Sequence, residues 1–190
     1  VASVLRPDYP IKTDRLVLRP FAADDLDALV AYQQLPDVAR FLMWPPRDRA
    51  QAEASLKYRI EHPTLEKEGD VLVLAVELQD TGALIGDVNL SWMSEWDRTG
   101  EFGFVFDPAY HGRGYAREAA TEVLRLGFEQ MGLHRIIGRA DARNDASAAL
   151  MTRLGLRKEA HFVKNGRVKG EWTDEVVFAM LSEEWPDHRP

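Results

Sequence analysis

The segment DRLVLRPF (residues 14–21) alternates apolar and polar side chains, the period of a half-buried strand. Downstream, Leu26, Leu29 and Val30 fall on one helical face, with Asp24 placed to cap that helix and Pro36 to bound it. MWPPRD (43–48) reads as loop. Asp48 and Gln51 then form a capping box for a second helix carrying Ala52, Leu56 and Ile60, which Pro63 ends. VLVLAVEL (71–78) is a nearly unbroken apolar run, as expected of a buried strand. The turn signal DTG (80–82) joins it to ALIGDVNLSW (83–92) in a hairpin, and TGEFGFVF (99–106) adds a further strand stopped by Asp107-Pro108. The longest helix spans about residues 116–131; its apolar face of Ala119, Ala120, Val123, Gly127 and Met131 is rich in small residues that suit close packing on a sheet, and Gly132 terminates it. HRIIGRA (134–140) is a strand, and Asn144 caps a short helix that buries Leu150, Met151 and Leu154 and ends at Gly155. RKEAHFV (157–163) and DEVVFAML (174–181) are strands, with Asn165-Gly166 as the hairpin signal between them. The order β-α-α-β-β-β-α-β-α-β-β predicts an α/β (α+β) chain: a mixed sheet with helices on both faces.

Length and composition narrow the function. With 190 residues the chain is long enough for one cored domain and short for two, so residues 1–190 are expected to form a single domain. Its 31 acids against 24 bases argue against a nucleic-acid partner, which calls for a basic face, and are compatible with a cationic substrate. Without cysteine there is no disulfide framework, thiolate nucleophile or Cys-based metal site. VASVLRPDYP has no signal-peptide pattern, and no apolar run approaches membrane-spanning length, so the expected location is the cytoplasm, with no membrane partner.

The stretch AYHGRGYARE (109–118) stands between a strand and the longest helix. The first amides of a helix lack internal partners and carry the positive end of its dipole. A phosphate fits there, and glycines let the backbone approach it. Arg113 adds charge. The loop lacks the Gly-Lys-Ser/Thr ending of a Walker A motif, and Arg117 stands where the dinucleotide fingerprint needs a third small residue. From the turn alone, a phosphorylated ligand and a plain tight turn both remain open.

YHGRGYAREA resembles the coenzyme A pyrophosphate turn of the GNAT N-acetyltransferases, Q/R-x-x-G-x-G/A, with His111, Gly114 and Ala116 at its three defined positions and His111 in place of the usual Gln or Arg. TDRLVLRPFAADDLDAL, GALIGDVNL, GEFGFVFDPAYHGRGYAREA, NDASAALMTRLGL and EWTDEVVFAML are similar, in order, to successive segments of the RimJ/RimL-like branch, which acetylates ribosomal-protein N-termini; the resemblance covers residues 13–184. It implies the GNAT fold: a mixed, mostly antiparallel sheet of six to seven strands, splayed between strands 4 and 5. It also implies acetyl transfer from acetyl-CoA to a primary amine, a protein N-terminus or a small molecule, by direct attack in a ternary complex and without metal.

The same resemblance implies the site. The pantetheine arm pairs with backbone of Phe104, Val105 and Phe106. The pyrophosphate lies on amides of Gly112, Arg113, Gly114, Tyr115, Ala116 and Arg117. The position of the usual Tyr acid holds Met151, and in the RimL-like branch a serine in an Asn-x-x-Ser arrangement faces the sulfur, which assigns Ser147 to the thiolate and Asn144 to the pantetheine. A Lys amine titrates near ~10.4 and an α-amine near ~7.7–8.0, so a base helps the first more than the second. Glu101, just before the splay, is the candidate base, with Asp87, Glu171 and Asp174 as rivals; His134 and His161 read as structural.

The acceptor pocket is expected between the first two helices and the last hairpin, with Phe41, Met43, Trp44, Trp92, Met93 and Trp96 as an aromatic-rich wall. These residues equally suit a homodimer contact or plain core. Three readings are compatible with the sequence: an acetyl-CoA-dependent N-acetyltransferase, a non-catalytic CoA-binding or regulatory module with the same fold, and an unrelated protein that shares a phosphate-binding turn.

Overall fold

The computed structural model describes residues 2–188. Its frame is an eight-stranded sheet in the order β1-β2-β3-β4-β5-β6-β8-β7. The strands are β1 (Ile11–Lys12), β2 (Leu16–Arg19), β3 (Val71–Leu78), β4 (Leu84–Ser94), β5 (Thr99–Phe106), β6 (Arg135–Asp141), β7 (Arg157–Val168) and β8 (Glu171–Leu181). Seven correspond to the strands of the sequence pattern. The eighth, β1, is too short to leave a period and arises where Ile11 and Lys12 fold back onto Leu18 and Val17. Neighbours are antiparallel except β5 and β6, because a crossover helix returns the chain in the same direction.

Among the described residues five α-helices flank the sheet: α1 (Leu26–Gln33), α2 (Pro36–Ala39), α3 (Arg49–Glu61), α4 (Tyr115–Arg125) and α5 (Asp145–Arg153). One core lies on the face covered by α4 and α5 and includes Leu74, Val88, Phe102, Ala120, Val123, Ile136, Met151 and Phe178. A smaller core on the other face joins Phe21, Leu29, Tyr32 and Leu56 to Val73 and Ala75. Strand β3 contributes to both, which is why its sequence is apolar almost throughout. Each large side chain so buried stabilises the fold by roughly 1.5–3 kcal/mol.

Local signals hold with four corrections, the first being that the helix expected over about residues 116–131 is α-helical only from Tyr115 to Arg125 and continues as a π-helical turn over Leu126–Gln130. The capping box at α3 forms as expected: Asp48 accepts from the Gln51 amide at 2.8 Å, and Gln51 returns a bond to the Asp48 amide at 3.0 Å. Ile60 on that helix is nevertheless 39% exposed, since positions spaced four apart drift round the helix and Ile60 has turned away from the face of Ala52 and Leu56. Asp24 does not cap α1. It lies in a 3-10 turn, and Asp25 does the anchoring: its carboxylate takes the Ala22 amide and a two-pronged Arg19 pair, each bond 2.8 Å. The β7–β8 hairpin turns at Lys169-Gly170, not Asn165-Gly166. Lys169 (φ 48°) and Gly170 (φ 90°) supply the two left-handed residues of a tight two-residue turn. Asn165-Gly166 falls in a bulge, where Asp174 bridges the gap by accepting from the Lys164 amide. Lys169 Nζ then donates to the Ala39 and Arg40 carbonyls at the end of α2, tying the hairpin tip to the helical side.

Candidate active site

Strands β5 and β6 pair over only three positions, Thr99 with Arg135, Gly100 with Ile136 and Glu101 with Ile137. Beyond Glu101 they part. Backbone alternation decides what the gap exposes. The Asp107 amide donates to Ile85 on β4, so the odd-numbered residues of β5 turn their amides and carbonyls toward β4. The Arg98 carbonyl accepts from His134 and Arg135, so the even-numbered ones turn toward β6. Past the last pair, the unpaired edge therefore consists of Phe104 and Phe106. Val105, expected beside them, has its own backbone facing β4; only its side chain is turned to the smaller core. The Phe106 carbonyl accepts a bond from His111 Nε2 at 3.1 Å, so the His111 imidazole braces the strand end.

Because β5 and β6 run in the same direction, the helices that follow them start at the same end of the sheet, one on each side of the gap. The turn before α4 has Gly112 at φ 75° and Gly114 at φ 83°. Nothing stands within 4 Å of a Cβ placed on Gly112, so the left-handed backbone rather than space calls for glycine there. Gly114 is the N-cap, leaving the amides of Tyr115, Ala116 and Arg117 without helical acceptors, while the Glu118 amide already bonds to the Gly114 carbonyl. Arg113 lies over the Tyr110 ring at 5.8 Å, and Arg117 is exposed. At α5, Asn144 is the N-cap and accepts from the Ser147 amide at 3.1 Å. The Asn144 amide nitrogen and the Ser147 hydroxyl make no hydrogen bond among the described residues. Met151, at the expected Tyr position, is 1% exposed and packs under Gly138 and Phe102, where a polar tip would be dehydrated.

The opposite face of the gap carries charge. Glu101 pairs with Arg139 at 3.2 Å, and Arg139 reaches Glu175 at 3.9 Å. Burial pushes the Glu101 pKa up; Arg139 opposes this, Glu175 adds to it, and the net shift is upward. Its rivals are otherwise engaged. Asp87 is buried, accepts from Tyr32 Oη at 2.6 Å and has Arg59 at 3.6 Å. Asp174 holds the Lys164 amide and His161 Nε2, and these bonds lower its pKa. Glu171 is exposed beside Arg143. His134 is exposed and bonded through its backbone.

The expected aromatic wall divides. Phe41 lies near the splay, with Arg143 of the β6–α5 loop 6.0 Å over its ring, and Trp44 stacks with Arg47. Met43 is exposed. Trp92 is core, 3% exposed. Met93 and Trp96 sit at the β4–β5 turn, the end of β5 away from the gap, because Trp92 pairs with Gly100 whereas the open edge begins after Glu101. Sequence reasoning missed Arg139 and Arg15, two arginines that read as ordinary surface charge until the fold sets them against Glu101 and Glu118.

An open strand edge between two helix starts, one of them preceded by a glycine turn, is the frame of an acyltransferase that takes its acyl group from a phosphorylated thioester carrier. Residues 15–157 match the family model described as Acetyltransferase (GNAT) domain, and the chain belongs to that family. It is 34% identical to the uncharacterized N-acetyltransferase YnaD of Bacillus subtilis (strain 168), over 92% of this chain and 98% of that one. Identity with the [ribosomal protein uS5]-alanine N-acetyltransferase of Escherichia coli (strain K12) is 27%, over 96% of both. The crystal structure of an acetyltransferase (GNAT family) from Bacillus anthracis superposes with a TM-score of 0.83 at 31% identity, covering 92% of this chain and 99% of the other. The chain is an acetyltransferase of the GNAT fold, and GNAT acetyltransferases use acetyl-CoA.

Proposed function

We propose that residues 1–190 act as one domain that moves the acetyl group of acetyl-CoA to a primary amine by direct attack in a ternary complex. The observation that carries the reading is the three-residue pairing of β5 with β6, which leaves the Phe104 backbone and the Phe106 amide unpaired with β6 between the starts of α4 and α5, the Phe106 carbonyl being held by His111. On this reading the diphosphate lies on the free amides of Tyr115, Ala116 and Arg117 and on the glycine turn from Gly112, with Arg113 beside it. The pantetheine arm runs along Phe104 and Phe106 toward Asn144.

Two groups then act from opposite faces of the sheet. Glu101 takes a proton from the acceptor ammonium, directly or through water, and leaves the free amine. Its elevated pKa suits that exchange, since a base works best near the operating pH. The free amine attacks the thioester carbonyl and the C–N bond forms; as the C–S bond breaks, the Ser147 hydroxyl gives its proton to the leaving sulfur and takes up the proton that the nitrogen sheds, so the products are the amide and the free thiol. Holding the two reactants side by side supplies most of the rate.

For the acceptor, the likeness to the uS5-alanine acetyltransferase over nearly the whole chain supports the ribosomal-protein-type branch and an N-terminal α-amine. The test is free CoA release with a panel of ribosomal-protein N-terminal peptides, aminoglycosides, polyamines and amino acids. Turnover concentrated on the peptides is the expected result; turnover on polyamines alone refutes the acceptor assignment, and no CoA release with any amine refutes the activity.

A further inference from the structure

The turn that would receive the diphosphate is held by one side chain from far away in the sequence. Arg15, in the short link between β1 and β2, donates from Nη1 to the Arg113 carbonyl at 2.9 Å. Its Nε and its own amide each bond the Glu118 carboxylate at 2.8 Å, and Nη2 stands 2.7 Å from it. Its guanidinium lies 4.5 Å over the Tyr115 ring. Thr13 adds a hydroxyl bond to the same carboxylate at 2.6 Å. Two consequences follow. The bond to Arg15 fixes the direction of the Arg113 carbonyl, so that this acceptor next to the N-cap is already satisfied. And Glu118, an acid in the first turn of α4, is neutralised within a turn of the proposed anion site. Burial raises the Glu118 pKa, but the bonds from Thr13 and Arg15 outweigh it, and the carboxylate stays ionised and paired.

We infer that Arg15 is a positioning residue for the coenzyme: it shapes the glycine turn and cancels the Glu118 charge that would otherwise repel the diphosphate. The inference rests on the diphosphate reading of the turn and adds to it a residue from a distant part of the chain. Arg15→Gln should raise the Kd for CoA, measured by calorimetry, roughly tenfold, as one uncompensated charge nearby would. The KM of acetyl-pantetheine, which lacks the diphosphate, should not share that rise. Adding Glu118→Gln to Arg15→Gln should restore most of the CoA affinity, since the repelling carboxylate is then gone. Glu118→Gln alone should bind CoA at least as tightly as the parent, and it serves if Arg15→Gln does not fold.

An unchanged Kd in Arg15→Gln, an equal loss with acetyl-pantetheine, no rescue in the double variant, or weaker binding by Glu118→Gln alone would each overturn the proposal. Gly114→Glu separates the two levels. If it binds CoA like the parent, the diphosphate reading itself fails; if it binds more weakly while Arg15→Gln binds normally, only the role of Arg15 fails.

Discussion

Replacing Gly114 in turn by Ala, Glu and Lys separates the shape of the turn from its charge. Gly114 stands at φ 83°, where any L-residue loses about 1–2 kcal/mol. An added Cβ would come no closer than 3.4 Å to Arg15 Nη2, an ordinary contact, so no clash adds to that cost. All three variants should therefore lose a similar ~1–2 kcal/mol in urea denaturation. Their coenzyme affinities should diverge. A unit charge about 6 Å from a phosphate charge, at an effective dielectric constant of ~40, contributes about 1.4 kcal/mol, a factor of ~10 in Kd. The Glu variant should then bind CoA at least roughly tenfold more weakly than the Ala variant, and the Lys variant more tightly than Ala. Calorimetric titration with CoA reads the order directly. Equal affinities for Ala, Glu and Lys at this position would mean that no phosphate lies near the start of α4.

Ser147→Ala should lower kcat more than it raises the KM of acetyl-CoA, checked by steady-state thiol release; equal turnover would remove the hydroxyl from the reaction. Glu101→Gln should lower kcat by about 10²–10³-fold. In the parent, kcat/KM should rise with pH through a pKa above the ordinary glutamate value of 4.5, because Glu101 must be ionised to accept a proton, and that limb should vanish in the variant. Arg19→Ala should cost about 3–5 kcal/mol in urea denaturation, since it leaves Asp25, 6% exposed, without the cation that pairs it. Burial raises the Asp25 pKa, but the Arg19 and Ala22 bonds bring the net value below 3.8. That stability is thus present at neutral pH and lost as pH falls through the depressed pKa, and the acid limb of the stability curve should flatten in Asp25→Asn.

The periodicities of the chain determined most of its elements. The alternation in DRLVLRPF, the apolar run of β3 and the small-residue face of α4 all describe which surface a segment must bury, and burial is local enough to be written in a few adjacent residues. The glycine turn and the Asn144 cap were legible for the same reason: each is a constraint on one or two dihedral angles and the nearest amides. What the tertiary structure decided is which backbone edge stays open and which charges meet. Val105 faces β4 and Phe104 the gap because of the pairing register, which depends on strands far apart in sequence. Trp92 belongs to the core and Trp96 to the far turn because the hairpin geometry puts them there. Arg15 with Glu118 and Arg139 with Glu101 are separated by 103 and 38 positions in the chain, so no local pattern can record their pairing. A side chain's propensity is set by its neighbours in sequence, whereas its charge acts on whatever the fold brings within a few ångströms.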